Sequence, residues 1–239
     1  MAMVLQPSGC DMRWVTSSVN ESPIEVILFD LGNVILPFNH HQIGEKLLQF
    51  SLKKETEDHK KIFAYLFDLH TGAVNLYETG KMSSTEFFQS LKDFFHLQIS
   101  FDEFTTIWND IFTENEDVSN IIRSLKGKKK LGLVSNTNSL HFDYILSKFS
   151  VVNSFDRWIL SHEVGFKKPS PEIYQKAIEW ASVEPPNILF IDDMQRNVEA
   201  AVSLGIQGIQ FVSAHQLKEE LEKKLPLKED PLDDRIEFR

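Results

Sequence analysis

Short apolar runs recur along the chain, and polar clusters sit at their carboxyl ends. Ile24-Glu25-Val26-Ile27-Leu28-Phe29 ends in Asp30, and Leu131-Gly132-Leu133-Val134 ends in Ser135-Asn136. Trp158-Ile159-Leu160 leads, through a polar stretch, to Lys168-Pro169, and Ile188-Leu189-Phe190-Ile191 ends in Asp192-Asp193. Short apolar runs separated by helix-like stretches predict buried parallel strands. The fold class expected is α/β, a doubly wound, Rossmann-like parallel sheet. Ligands in such sheets bind outside the carboxyl ends of the strands, so these polar clusters are expected to converge. A carboxylate, a hydroxyl, a lysine and a carboxylate pair meeting there suit the holding of a phosphate and a divalent cation.

Between Asp30 and Ser135 lie about a hundred residues, too many for a simple crossover helix. Ser83-Ser84-Thr85-Glu86 and Ser100-Phe101-Asp102-Glu103 are capping boxes, with serine at the N-cap and glutamate three residues on. Phe87, Phe88, Leu91 and Phe94-Phe95 follow the first box at helical spacing. Ile62, Tyr65, Leu66 and Leu69 form a second stripe, and Phe104, Ile107, Trp108 and Ile111-Phe112 a third. Such stripes are expected to pack a small bundle rather than line a pocket. The expected organisation is a core of residues 23–38 and 116–224, carrying an all-helical cap over 39–115.

Past Ser135 the alternation becomes regular. Asn138 to Phe149 reads as a helix. Ser170-Pro171-Glu172 opens another, with serine as cap and proline at the first helical position. A helix from about Arg196 to Leu204 stops at Gly205, and Ile206 to Val212 closes the sheet.

Charge and composition narrow the partners. The formal net charge of −10 leaves no excess of cations to displace the counterions of a nucleic acid. The run Lys126-Gly127-Lys128-Lys129-Lys130 reads as a solvated turn before a strand, at the end of the sheet opposite the site. No apolar run approaches the roughly 18 residues of a membrane span. Cys10 is the only cysteine, so no intrachain disulfide forms, and a reducing, cytoplasmic setting fits. Residues 1–22 hold no apolar stretch long enough for a secretory signal and read as a disordered leader. Residues 225–239 read as a charged, solvated tail. A monomer or a homodimer is compatible with the sequence.

Phe29-Asp30-Leu31-Gly32-Asn33-Val34-Ile35, Val134-Ser135-Asn136-Thr137-Asn138, Gly165-Phe166-Lys167-Lys168-Pro169 and Phe190-Ile191-Asp192-Asp193, in this order, resemble the haloacid dehalogenase-like hydrolase superfamily. The Asp-Leu-Gly-Asn-Val and Ser-Asn-Thr-Asn forms are most similar to a branch with sugar-phosphate phosphatases such as glucose-1-phosphate phosphatase. The resemblance implies an Mg²⁺-dependent phosphatase acting on a small phosphate ester through an aspartyl-phosphate. It makes Asp30 the nucleophile, where alone it would read as a capping aspartate. Lys168, directly before proline, becomes the positive charge facing the phosphate and Asp30. Ser135 and the Asn136 backbone N–H become phosphate ligands at a helix N-terminus. Asp30, the Gly32 carbonyl and Asp193 become metal ligands, with Asp192 and Asn197 orienting the groups around them.

One position departs from the pattern. Most phosphatases of the superfamily carry an aspartate two residues after the nucleophile as general acid and base, and here Gly32 occupies it. General acid–base help is worth typically about 10²- to 10⁴-fold, so leaving-group protonation falls to water, to another residue or to the substrate. His40, His41, His141 and His162 are the available histidines, with His40 and His41 soonest after the first motif. Two other readings follow from the same residues. The chain as a pseudoenzyme or binding module would have lost its acid at Gly32. A haloacid dehalogenase shares the nucleophile, but the pair Asp192-Asp193 argues against it.

Overall fold

The computed structural model describes residues 23–52, 59–68 and 72–225. The expected leader, the expected tail from residue 226 on and Leu69 of the second stripe lie outside the described residues. The chain enters the sheet at β1 (Val26–Phe29) and then forms α1 (His41–Leu48), α2 (His59–Phe67), α3 (Ala73–Tyr77), α4 (Ser84–Phe95) and α5 (Phe101–Asn109). Next come α6 (Glu116–Leu125), β2 (Lys130–Ser135), α7 (Ser139–Lys148), β3 (Arg157–Leu160) and α8 (Ser161–Val164). The remainder is α9 (Pro171–Ala181), β4 (Ile188–Asp192), α10 (Gln195–Ser203), β5 (Gln207–Gln210) and α11 (Ala214–Lys224).

All neighbouring strands run parallel, in the order β3-β2-β1-β4-β5. β1 is central, with β2 on one side and β4 on the other, so the topological switch point falls at its carboxyl end. The four residues of β1 are buried on both faces, which is why it reads as continuous apolar sequence without alternation. Ile27 and Phe29 face a layer that includes Ile122 and Leu125 of α6, Ile145 of α7 and Leu217 and Leu221 of α11. Val26 and Leu28 face Ile173, Tyr174 and Ala177 of α9 and Ala201 of α10. Helices on both faces make the sheet doubly wound.

The segment from α1 to α5 has its own core. Phe87, Phe88, Leu91, Phe95, Phe104 and Trp108 are buried together with Ile62 and Leu66, so the helical stripes pack a bundle as their spacing predicts. Phe94 departs from its stripe and is 57% exposed, stacked on Tyr65 at 4.3 Å. Both capping boxes form. The Ser83 N–H donates to Glu86 Oε2 at 2.8 Å and the Ser100 N–H to Glu103 Oε2 at 2.9 Å, while each serine hydroxyl accepts from the N3 backbone. Each cap stabilises its helix by about 1 kcal/mol.

Two local expectations change. Ser170 precedes α9, but its hydroxyl donates to the Glu172 carboxylate and caps no backbone N–H. β5 is shorter than Ile206 to Val212, because the chain leaves the ladder for α11, where Val212 is 74% exposed and the Ser213 hydroxyl accepts from Gln216 N. The lysine run turns through Lys126–Lys129 at the amino end of β2, where Lys129 Nζ donates to Ile24 O and Lys130 Nζ to Trp180 O. Among the described residues no helix is long and apolar enough to cross a membrane.

Candidate active site

The strand register assembles the site. Phe29 pairs with Leu133 of β2 and Ile191 of β4, and continuing that register by one residue sets Asp30 beside Asp192. The Asp30 N–H still donates to Ile191 O at 2.8 Å, so the nucleophile candidate is the last laddered residue before the chain turns away. Beyond it the chain folds back through Asn33, whose backbone is left-handed at φ 57°, a conformation asparagine tolerates better than most residues. The Asn33 amide then donates to Asp193 Oδ2 at 3.3 Å.

Lys168 is delivered by the loop between α8 and α9. Its side chain is 2% exposed, and Nζ lies 2.6 Å from Asp30 Oδ1 and 2.7 Å from Asp192 Oδ2. Asn136 holds that loop on both sides. Its Oδ1 accepts from the Lys168 N–H at 2.7 Å, and its Nδ2 donates to the Lys168 carbonyl at 3.0 Å. The Lys168-Pro169 peptide is cis. Burial works against the charge of Lys168, but Asp30 and Asp192 outweigh it and raise the pKa.

Three carboxylates, Asp30, Asp192 and Asp193, bring ligand atoms within 4.8 Å of one another. They do not offer the same thing. Asp192 is fully buried and saturated: Oδ1 accepts from Met194 N and Asn197 Nδ2, and Oδ2 from Lys168 Nζ and Asn197 Nδ2. Asp30 Oδ1 accepts from Leu31 N at 2.7 Å and from Lys168, while Oδ2 meets no protein partner among the described residues. Asp193 is partly buried. Burial lifts the Asp30 carboxyl to about 7 against the pull of Lys168, with Asp192 adding to the rise. Burial first, and Asp192 second, also raise Asp193.

With the carboxylates ionised, three negative charges face one lysine, a net excess of two negative charges. A hard divalent cation on oxygen donors balances that charge, and Mg²⁺ takes such carboxylates while retaining waters. The donor set therefore fits Mg²⁺ through Asp30 and Asp193, with Asp192 spent on aiming Lys168. Asn197 lines the same cavity, and its buried side-chain oxygen has no hydrogen-bond partner among the described residues.

The cavity is about 170 Å³. Asp30, Gly32, Ser135, Asn136, Lys168, Asp193 and Asn197 all line it, whereas Asp192 lies beneath it. α7 begins only at Ser139, with Asn138 as its cap, so Ser135 ends β2 and Asn136 opens the short loop before the helix, rather than the two forming its first turn. His40 reaches the cavity, and His41 is exposed elsewhere. His141 lines the wall, but its ring is occupied. Nδ1 faces the Asn138 amide at 3.1 Å and Nε2 the Trp108 carbonyl at 3.0 Å. His162 Nδ1 sits 3.2 Å from the Thr137 carbonyl.

Two wall residues, Phe38 and Glu78, carry no motif signal. Phe38 lies tilted against His40, ring centroids 4.5 Å apart, and meets Phe112 edge-on at 6.0 Å. A Cβ built on Gly32 would lie 2.6 Å from Phe38 Cε1, so the place of the expected acid holds an aromatic ring. Glu78, at the end of α3, lines the cavity from the helical segment. Lys167 turns away from Lys168 to pair with it at 2.5 Å.

A doubly wound sheet with a helical segment inserted after its first strand, and a carboxylate–lysine centre at the switch point, defines the class. Residues 27–211 match the haloacid dehalogenase-like hydrolase family over most of the chain's length, and the chain belongs to it. It is similar to a D-ribitol-5-phosphate phosphatase of Bacteroides thetaiotaomicron, 28% identical over 206 residues that cover 83% of this chain and 97% of the relative. It is also similar to a phosphorylated carbohydrates phosphatase of Thermotoga maritima, 26% identical over 201 residues covering 82% and 88%. Among solved structures, a HAD family enzyme from Bacteroides thetaiotaomicron in complex with magnesium and inorganic phosphate aligns with a TM-score of 0.67 at 24% identity. That alignment covers 78% of this chain and 93% of the other, and the likeness speaks to the fold.

Proposed function

We propose that the chain is an Mg²⁺-dependent phosphoric monoester hydrolase acting on a small phosphorylated carbohydrate or polyol through an aspartyl-phosphate on Asp30. The observation that carries the reading is Lys168, buried between Asp30 and Asp192 beside a third carboxylate. A structural ion pair needs one partner; two carboxylates on one buried lysine, with Asp193 at the cavity, leave an excess negative charge that a bound divalent cation offsets, which lets a phosphate approach Asp30. The relatives named for D-ribitol 5-phosphate and phosphorylated carbohydrates support the substrate class.

In this reading an Asp30 oxygen attacks phosphorus while the bond to the leaving oxygen breaks, and water then hydrolyses the acyl phosphate to release phosphate. Lys168 offsets charge on the transferring group and keeps Asp30 oriented. Ser135 and the Asn136 N–H hold phosphoryl oxygens. Asp30, the Gly32 carbonyl and Asp193 would hold magnesium, which would supply electrostatic stabilisation of the phosphoryl oxygens. Gly32 has no proton to give, so leaving-group protonation falls to water or to the substrate's own hydroxyls. Residues 23–38 and 116–224 form the catalytic core and 39–115 the cap. A cytoplasmic monomer or homodimer completes the proposal.

The test is phosphate release from p-nitrophenyl phosphate and a panel of sugar and polyol phosphates, with and without chelator. Turnover that needs Mg²⁺, disappears in Asp30→Asn with the fold retained, and is blocked by beryllofluoride supports the reading. Wild-type rates in Asp30→Asn move the nucleophile elsewhere. Full activity in excess chelator removes the metal and revives the dehalogenase reading.

A further inference from the structure

We propose that Glu78 is a specificity-determining residue: its carboxylate faces the leaving group, accepts hydrogen bonds from neutral hydroxyls and rejects phosphate esters that carry a second anionic group. This rests on the phosphatase reading and deepens it. Glu78 lines the same cavity as Asp30, Ser135 and Lys168, yet comes from the end of α3 in the helical segment. Its side chain is 14% exposed. Oε2 forms an ion pair with Lys167 Nζ at 2.5 Å, and Oε1 meets no protein partner among the described residues. Oε1 is not sealed off from solvent, so a water or a ligand hydroxyl in the cavity can reach and donate to it.

The backbone around Glu78 is fixed against the core. The Tyr77 hydroxyl lies 2.8 Å from Ser84 Oγ and 3.2 Å from Ser139 Oγ, and it accepts from the Leu140 N–H at 3.2 Å. Gly80, left-handed at φ 67°, lies against the His162 carbonyl with no room for a Cβ. Lys167 Nζ also donates to Asn75 Oδ1 at 3.0 Å. Contacts on both sides thus hold Glu78 at the cavity, while Lys167, which does not line it, neutralises the carboxylate from behind. The pair presents its negative end to the substrate. A hydroxyl-bearing chain can donate to that end; a carboxylate or second phosphate is repelled by it.

The two partners make opposite predictions, which separates selectivity from a purely structural tie between cap and core. The measurement is kcat/KM for ribitol 5-phosphate relative to 5-phosphoribonate, which differs by a terminal carboxylate, in wild type, Glu78→Gln and Lys167→Met. Wild type prefers the polyol. Glu78→Gln leaves the Lys167 charge and lowers the preference by about tenfold or more, whereas Lys167→Met leaves the bare carboxylate and raises it by about tenfold. If both variants shift the ratio in the same direction, or neither shifts it, the pair is only a tie and the proposal is overturned. If wild type hydrolyses p-nitrophenyl phosphate but shows no preference for the polyol, the specificity fails while the phosphatase reading stands. If it hydrolyses no phosphate ester, both fail.

Discussion

Phe38 stands where a general acid would have to reach, and that makes the Gly32 position open to a direct test. The perturbation is Gly32→Asp, made alone and in combination with Phe38→Ala. A Cβ at position 32 falls 2.6 Å from Phe38 Cε1, about 1 Å inside the usual carbon–carbon contact of roughly 3.5–4.0 Å. The ring has little freedom to retreat, being tilted against His40 and set edge-on to Phe112, with Phe38 and Phe112 also bridged through the backbone. Gly32→Asp alone therefore overpacks the wall at a cost of about 1–3 kcal/mol and misdirects the new carboxyl. Removing the ring clears its path.

A placed general acid is worth about 10²- to 10⁴-fold, or about 3–5 kcal/mol of barrier. That full value applies where the departing oxygen is most basic. The assay is kcat/KM across phosphates of graded leaving-group pKa, from p-nitrophenyl through anomeric sugar to primary alkyl phosphates. Wild type is expected to fall steeply along this series. The double variant should flatten it, gaining at least about tenfold on alkyl phosphates over Phe38→Ala alone while hardly changing p-nitrophenyl phosphate. A flat series in wild type, with chemistry shown to be rate-limiting, would refute the reasoning and make His40 and Glu78 the next residues to replace.

Further outcomes follow from the same geometry. Lys168→Met leaves Asp30 and Asp192 buried and unpaired, so urea denaturation near pH 7.5 should show a loss of about 3–5 kcal/mol; an unchanged midpoint would mean the carboxylates are not charged there. Asp193→Asn should raise the Mg²⁺ concentration needed for half-maximal activity well before it affects folding, and an unaltered Mg²⁺ titration removes Asp193 from the metal site. Burial holds His141 at about 3, with the His40 charge a smaller cause. The folded state thus binds fewer protons than the unfolded chain below about 6.5, and stability falls as pH drops. Between pH 7.5 and 5 the contribution lost is about 2 kcal/mol, and a His141→Gln variant with the same pH slope as wild type would contradict it.

The parts of the molecule legible in the sequence are those governed by short periods. Val26 to Phe29 had to be a strand buried on both faces, since it carries no polar position in either register. Once β1, β2 and β4 are parallel neighbours, pairing brings Asp30, Ser135 and Asp192-Asp193 to one edge without further information. The capping boxes before α4 and α5 were equally local. The role of Asn136 was less so: its side chain clamps the Lys168 backbone from 32 residues away, a contact no spacing rule encodes.

The wall opposite the carboxylates was hidden for a related reason. Glu78 in Tyr77-Glu78-Thr79-Gly80 looks like an ordinary solvated charge at a helix end, and it becomes a cavity residue only because Tyr77, Gly80 and Lys167 dock that turn on the core. Docking contacts join positions far apart in sequence, so they leave no periodic trace. The separation has a functional consequence. Asp30, Ser135 and Asp192-Asp193 stand at strand ends set by backbone pairing, so changes at Glu78 or Lys167 leave that register undisturbed. Phe38 is the exception, because it packs on Gly32 beside Asp30 and lies tilted against His40 at the root of the helical segment. A substitution there changes the acid position and the leaving-group wall together, which is why the Phe38 background, rather than Gly32 alone, decides whether an acid can be restored.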